Sequence, residues 1–260
     1  MTRNEGVWVY AVTTDSSFPN GISGIRGVAG EQLRTVAAGG FTAVVGSVDL
    51  GEYGEDALRR NLEDLDWLSD AARRHDAVVA AICAGGATVP LRLATVYYDD
   101  ERVRIMLREN VNDFTDALDR IADRAEWGVR AYADRGKSTE RGDTSDENGT
   151  SSGTAYLMRR RAQAAARRDA ESVAARQADE IYAQLANLAV AATRQPPTAP
   201  TLSPHRAWEI LNATYLVDNR RTHEFATAVD DINARVDGVE TVLTGPWPPY
   251  SFTFVESSGG

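Results

Sequence analysis

Residues 33–48 read LRTVAAGGFTAVVGSV: two apolar segments, Leu33 to Ala38 and Phe41 to Val48, parted only by Gly39 and Gly40. Two glycines supply the positive φ angles of a tight primed turn, so this stretch predicts an antiparallel β-hairpin. Working outward, Val7 to Val12 is a further run of β-formers, and the Gly-rich stretch from Gly21 to Gly30 reads as a loop between it and the hairpin. On the other side Leu58, Leu62, Leu65, Leu68 and Ala72 recur at steps of three or four, which places them on one face of a helix, with Trp67 at its edge.

Val78 to Ala84 and Val89 to Tyr98 then read as two more strands joined through Gly85 and Gly86. Asp99 and Asp100 stand where a helix cap belongs, ahead of the stripe Val103, Leu107, Val111, Phe114, Leu118 and Ile121. A strand from Trp127 to Ala133 is expected to close this unit. Strands mixed with helices whose apolar faces are one-sided imply an α+β unit, with helices on one face of an antiparallel sheet.

From Gly136 to Gly153 the sequence GKSTERGDTSDENGTSSG holds no aliphatic or aromatic residue and is expected to be a disordered linker or loop. Thr154 to Ala192 then contains no Gly or Pro and predicts one helix about 55 Å long, at about 1.5 Å per residue. Ala174, Ala178, Ile181, Leu185 and Leu188 give its second half a packing face. After the cluster Pro196, Pro197, Pro200 and Pro204, a strand is expected at Trp208 to Val217. A helix is expected over Phe225, Val229, Ile232 and Val236, a strand at Val239 to Thr244, and a terminal strand where Tyr250, Phe252 and Phe254 alternate. The expected domains are thus residues 1–135, a linker at 136–153, and residues 154–260 including the long helix 154–192.

The 260 residues carry 43% hydrophobic side chains, enough for two cores, and a net charge of -10. That charge disfavours nucleic acid and anionic membrane as partners, since both are polyanions. The single cysteine, Cys83, cannot form an internal disulfide and sits in an apolar run, where an inert buried thiol is expected. No signal-peptide pattern and no run of about 20 apolar residues is present, so the expected setting is soluble and cytoplasmic.

The sequence offers few groups for catalysis. His75, His205 and His223 have no His or Cys neighbour at metal-ligand spacing and read as surface or helix-end residues. Gly21, Gly24, Gly27 and Gly30 lack the spacing of a dinucleotide fingerprint, and Gly136, Lys137 and Ser138 only imitate the end of a P-loop, since Ala131 stands where its first glycine belongs. No catalytic, cofactor or metal residue is nominated. Two features stand out. Arg159, Arg160 and Arg161 cluster near the start of the long helix, where cations oppose the macrodipole and an acidic partner offers relief, either this chain's own carboxylates or another protein's. The string GPWPPYSF at Gly245 to Phe252 stiffens the backbone beside large amphipathic rings: Trp247, Tyr250 and Phe252 suit either an interface or a lock on the last strand.

That same string resembles the C-terminal signature of the gas vesicle GvpL/GvpF family. Val7 to Val12 with Tyr10 resembles the family's opening strand, Pro90-Leu91-Arg92-Leu93-Ala94-Thr95-Val96-Tyr97 its P-L-R-F-G-T-V-F segment, and Gly153 to Arg161 the start of its long helix. Tyr215-Leu216-Val217 also fits. The sequence departs at Leu93 and Ala94, where the family usually shows Phe-Gly. The resemblance implies two ferredoxin-like-type units and a non-catalytic accessory role in building the gas vesicle. The partners it implies are the hydrophobic shell protein and other accessory proteins; the residues expected to contact them, on their own chemistry, are Arg92, Arg159 to Arg161, Trp247, Tyr250 and Phe252. The alternatives are a small-molecule enzyme on a ferredoxin-like scaffold, or an adaptor unrelated to gas vesicles.

Overall fold

A computed structural model describes residues 4–14, 24–133, 153–196 and 208–253. The chain divides into two compact units, residues 1–126 with 246–260, and residues 127–245. Residues 136–152 of the linker expected at 136–153, three of the four clustered prolines, His205 and Phe254 lie outside the described residues.

In the first unit, strands β1 (Glu5–Thr14), β2 (Leu33–Ala38), β3 (Phe41–Asp49) and β4 (Val89–Pro90) form an antiparallel sheet in the order β2-β3-β1-β4, and β5 (Val96–Tyr97) also pairs with β1. The β2–β3 hairpin is as expected: Ala38 faces Phe41 across Gly39 and Gly40, whose φ angles of 64° and 85° L-residues rarely adopt. Between Val9 and Ala11 the register of β1 on β3 slips by one, making Tyr10 the extra residue of a β-bulge.

The bulge has a consequence for the two faces of the sheet. Val7, Val9 and Val12 pack on one side with Val103, Leu107, Phe114 and Leu118. Trp8 and the consecutive pair Tyr10 and Ala11 pack on the other with Tyr53, Leu58, Val79 and Ile82. Helices therefore cover both faces of this sheet, not one as expected, and β1 is buried from Gly6 to Thr13. A strand buried on both sides needs an unbroken apolar run, which is what VWVYAV supplies.

The helices are α1 (Leu50–Tyr53), α2 (Glu55–Asn61), α3 (Leu65–Cys83), α4 (Asp100–Glu109) and α5 (Val111–Ile121). The strand expected at Val78 to Ala84 is the end of α3. Its side-chain cap on Asp64 launches a helix whose buried face, Ala71, His75, Val78, Val79 and Ile82, runs through that segment, and a short apolar run alone does not distinguish strand from helix. The long strand expected at Val89 to Tyr98 is split into β4 and β5 by a turn in which Thr95 N–H donates to the Arg92 carbonyl and Ala94 adopts φ 65°. Asp99 caps α4 through the Arg102 amide, as expected. The stripe from Val103 to Ile121 spans two helices that meet at Asn110.

The second unit holds a sheet in the order β7-β8-β6-β9, from β6 (Arg124–Ala133), β7 (Ala191–Arg194), β8 (Trp208–Asp218) and β9 (Val239–Trp247). The strand expected to close the first sheet is thus an inner strand of the second. Flanked by β8 and β9, β6 has ladder partners on both edges for its backbone. Long helix α6 (Gly153–Ala186) ends six residues earlier than expected because Ala191–Arg194 forms β7 beside β8. Its buried face is Ala174, Ala178, Ile181 and Leu185, and it contacts β8 and α7 (Thr222–Arg235). Tyr182, Tyr215 and Phe225 make a chain of ring contacts at 5.9 and 5.3 Å. Pro246 lies within β9, an edge strand, where a missing amide donor is tolerated.

Candidate interaction surfaces

Polar groups in the first core are committed to holding it together. Trp8 Nε1–H donates to His75 Nδ1 at 3.1 Å, which leaves Nε2–H to donate to the Leu91 carbonyl at 3.1 Å. His75 is 1% exposed, in the middle of α3, and not the surface or helix-end residue expected. Burial pushes its pKa below the usual imidazole value, partly opposed by the Leu91 bond. His223 is exposed in the first turn of α7. The stripe that buries His75 runs on through Val78, Val79 and Ile82, a segment whose composition by itself suits a strand.

The bulge aims Tyr10 at a second anchor. Its hydroxyl donates to Glu31 Oε1 at 2.5 Å and accepts from the Val28 amide at 2.8 Å, while Glu31 Oε2 accepts from the Ala29 amide at 2.8 Å. Burial, with the Glu31 carboxylate beside it, pushes the phenol pKa well up. Glu31 sits against Gly27 and Gly46, where any Cβ would meet it. The expected flexible loop is therefore pinned at residues 27–31. Cys83 is half-buried with its pKa pushed up to about 11 by burial, so its thiol stays protonated at neutral pH. Among the described residues no group of three His, Cys, Asp or Glu could hold a metal ion.

The GPWPPYSF string closes on the first unit. Tyr250 N–H donates to the Pro248 carbonyl and Phe252 N–H to that of Pro249, winding Tyr250–Phe252 into a 3-10 turn in place of the expected strand. Two fixed proline φ angles favour that turn over a pleat. Ser251 donates from both N and Oγ to the buried Glu126 carboxylate, at 2.8 and 2.7 Å. Tyr250 donates to Asp76 at 2.9 Å and packs beside the Trp8 cluster. Phe252 is 6% exposed, so it is a plug and offers no surface to a partner. Trp247 is 55% exposed.

The remaining nominated residues are scattered. Arg92 is exposed in the turn between β4 and β5, and Arg160 and Arg161 are exposed on α6. The side chain of Arg159 lies outside the described residues. Because α6 starts at Gly153, these arginines fall in its second and third turns, where the macrodipole has largely faded. What sequence reasoning missed is a groove of about 590 Å³ in the first unit, lined by Leu50, Tyr53, Leu58, Leu62, Tyr97 and Tyr98 together with Glu55 and Arg59. Its lining comes from three separate segments, and no local pattern announces it.

Two antiparallel sheets clad by helices, a long partly uncovered helix and a proline-rich segment anchored on the first unit define a two-unit α+β protein of the architecture solved for gas vesicle protein GvpF. The crystal structure of GvpF from Anabaena sp. PCC7120 superposes with a TM-score of 0.70 over 96% of this chain and 97% of that one, at 17% identity, which shows the fold alone. The chain belongs to the gas vesicle synthesis protein GvpL/GvpF family, whose family model matches residues 6–253. It is 40% identical to gas vesicle protein L of Streptomyces sp. (strain CB03234) over 97% of this chain and 94% of that relative. It is 27% identical to gas vesicle protein F of the same strain, over 94% and 98%.

Proposed function

We propose that this chain is a non-catalytic accessory protein of gas vesicle assembly, working in the cytoplasm and at the vesicle by binding the shell protein, other vesicle proteins or both. The observation that carries the reading is its 40% identity to a gas vesicle protein L along nearly its whole length. The way polar groups are used supports it: His75, Tyr10, Glu31 and Glu126 are all held by partners in the fold. A shell subunit with exposed apolar surface needs reversible shielding by a partner. Trp247, with more than half its surface free, is a rigid anchor for that contact, and Arg92 with Arg160 and Arg161 gives cationic surface for acidic segments. Tyr250 and Phe252 hold the segment that presents Trp247.

The test is affinity capture by the tagged chain from cells producing vesicles. The wild type captures shell or accessory proteins, and Trp247→Ala captures less while melting at the same temperature. Capture of no vesicle protein, or turnover of a metabolite by the purified chain, would refute the proposal.

A further inference from the structure

Two surfaces of this chain complement each other. The first is the groove of the first unit. Tyr98 on its lining is 71% exposed, Leu62 is 37% exposed, and Leu65, three residues after Leu62, is 72% exposed. Its size falls within the roughly 300–1,000 Å³ of ligand-holding clefts. The segment from Asp49 to Asp70, whose α1 and α2 line it before the chain runs on into α3, carries eight carboxylates against two arginines, Arg59 and Arg60, and its last carboxylate, Asp70, pairs with Arg73 and Arg74. The groove thus mixes apolar side chains with Asn4 and the paired Glu55 and Arg59, beside a segment of net negative charge.

The second surface is the first half of α6. Residues 156–168, YLMRRRAQAAARR, carry five arginines and no carboxylate, on a chain whose net charge is -10. Tyr156, Leu157 and Met158 are 57%, 59% and 68% exposed, and no residue described from 156 to 173 is buried. A helix keeps such a segment ordered only weakly unless an apolar face is covered. Tyr156 and Leu157 stand one turn before Arg160 and Arg161 on the same face of the helix, so that face joins apolar surface to positive charge.

We propose that residues 156–168 of α6 in one molecule dock in the groove of a second copy of this chain, so that the protein associates head to tail with itself. Tyr156 and Leu157 enter the cleft beside Tyr98 and Leu62, and Arg160 and Arg161 face the net negative segment of α1 and α2. Every copy brings both halves of the pair at the same concentration. The contact joins two different surfaces, so it is heterologous and propagates beyond a dimer unless the rotation closes a ring. Charge supplies much of its strength at the exposed rim, so salt weakens it. The inference goes beyond the vesicle reading and does not depend on it.

Sedimentation velocity of the purified full chain over a concentration series, at about 50 mM and about 500 mM salt, is the test. Association that grows past the dimer with concentration, and recedes in high salt, is expected. Arg160→Glu with Arg161→Glu spoils the helix, and Tyr98→Lys spoils the groove; all three sites are exposed, and unchanged circular dichroism melts verify folding. Each variant alone should need about tenfold higher concentration or more to associate. Mixed together they should give a one-to-one dimer that grows no further, since only one helix and one groove remain intact. A wild type that stays monomeric, association indifferent to the helix variant, or failure of the mixture to pair would overturn the proposal. So would a monomeric chain whose groove is taken instead by a different basic vesicle protein.

Discussion

Replacing Gly46 by Ala tests whether Glu31 holds the first unit together as its geometry implies. A Cβ at position 46 would lie 2.7 Å from Glu31 Cγ and closer still to Oε1, so the carboxylate has to swing out. That forfeits the bonds from the Tyr10 hydroxyl and the Ala29 amide. Bonds to a charged acceptor contribute about 1.5–3 kcal/mol each, and Glu31 is half-buried, so water recovers part of the loss; a net cost of about 3 kcal/mol follows. The assay is chemical denaturation of wild type, Gly46→Ala, Glu31→Ala and the double variant. Glu31→Ala should cost about 2–3 kcal/mol alone, and in its presence Gly46→Ala should change stability by less than about 0.5 kcal/mol, because the obstructing atoms are gone. Additive costs would refute the reasoning, placing the sensitivity of position 46 in the backbone and not in Glu31.

Ala94, held at φ 65°, should become more comfortable as glycine: Ala94→Gly is expected to stabilise by about 0.5–1 kcal/mol, and a lower melting temperature would count against strain at that turn. Phe252→Ala should cost about 3–5 kcal/mol in denaturation, whereas Trp247→Ala should stay within about 0.5 kcal/mol. Equal losses would mean Trp247 is buried in solution. Burial raises the Glu126 pKa above its ordinary 4.5, with the Ser251 bonds drawing it part of the way back. The folded state then keeps that proton to higher pH than the unfolded state, so the stabilisation is complete below the unfolded pKa and is lost as pH rises through the folded one. Measured against Glu126→Gln, the wild type should lose relative stability across that window, and a constant difference would contradict the assignment.

The hairpin at residues 33–48, the Asp99 cap and the packing face of α6 were legible because turn chemistry and helical period are local signals. The errors share one cause, the choice of partner. Val78 to Ala84 has the composition of a strand and becomes helix only because α3 already runs into it from Asp64. The Trp127 strand reads the same whichever sheet accepts it. Tyr250 and Phe252 alternate as a strand does, yet the prolines before them and the Glu126 carboxylate turn the chain inward. The family was legible in GPWPPYSF and in the Pro90 to Tyr97 segment. The groove was not, since its lining is gathered from Asn4 ahead of β1, from α1 and α2, and from the β4–β5 turn with β5.

The central claim, a role in building gas vesicles through partner contact, is tested most directly by deleting the gene in its host and counting intact vesicles by electron microscopy. The account predicts few or no vesicles, restored by the wild-type chain and restored poorly by Trp247→Ala. Normal numbers of buoyant vesicles in the deletion strain would contradict it.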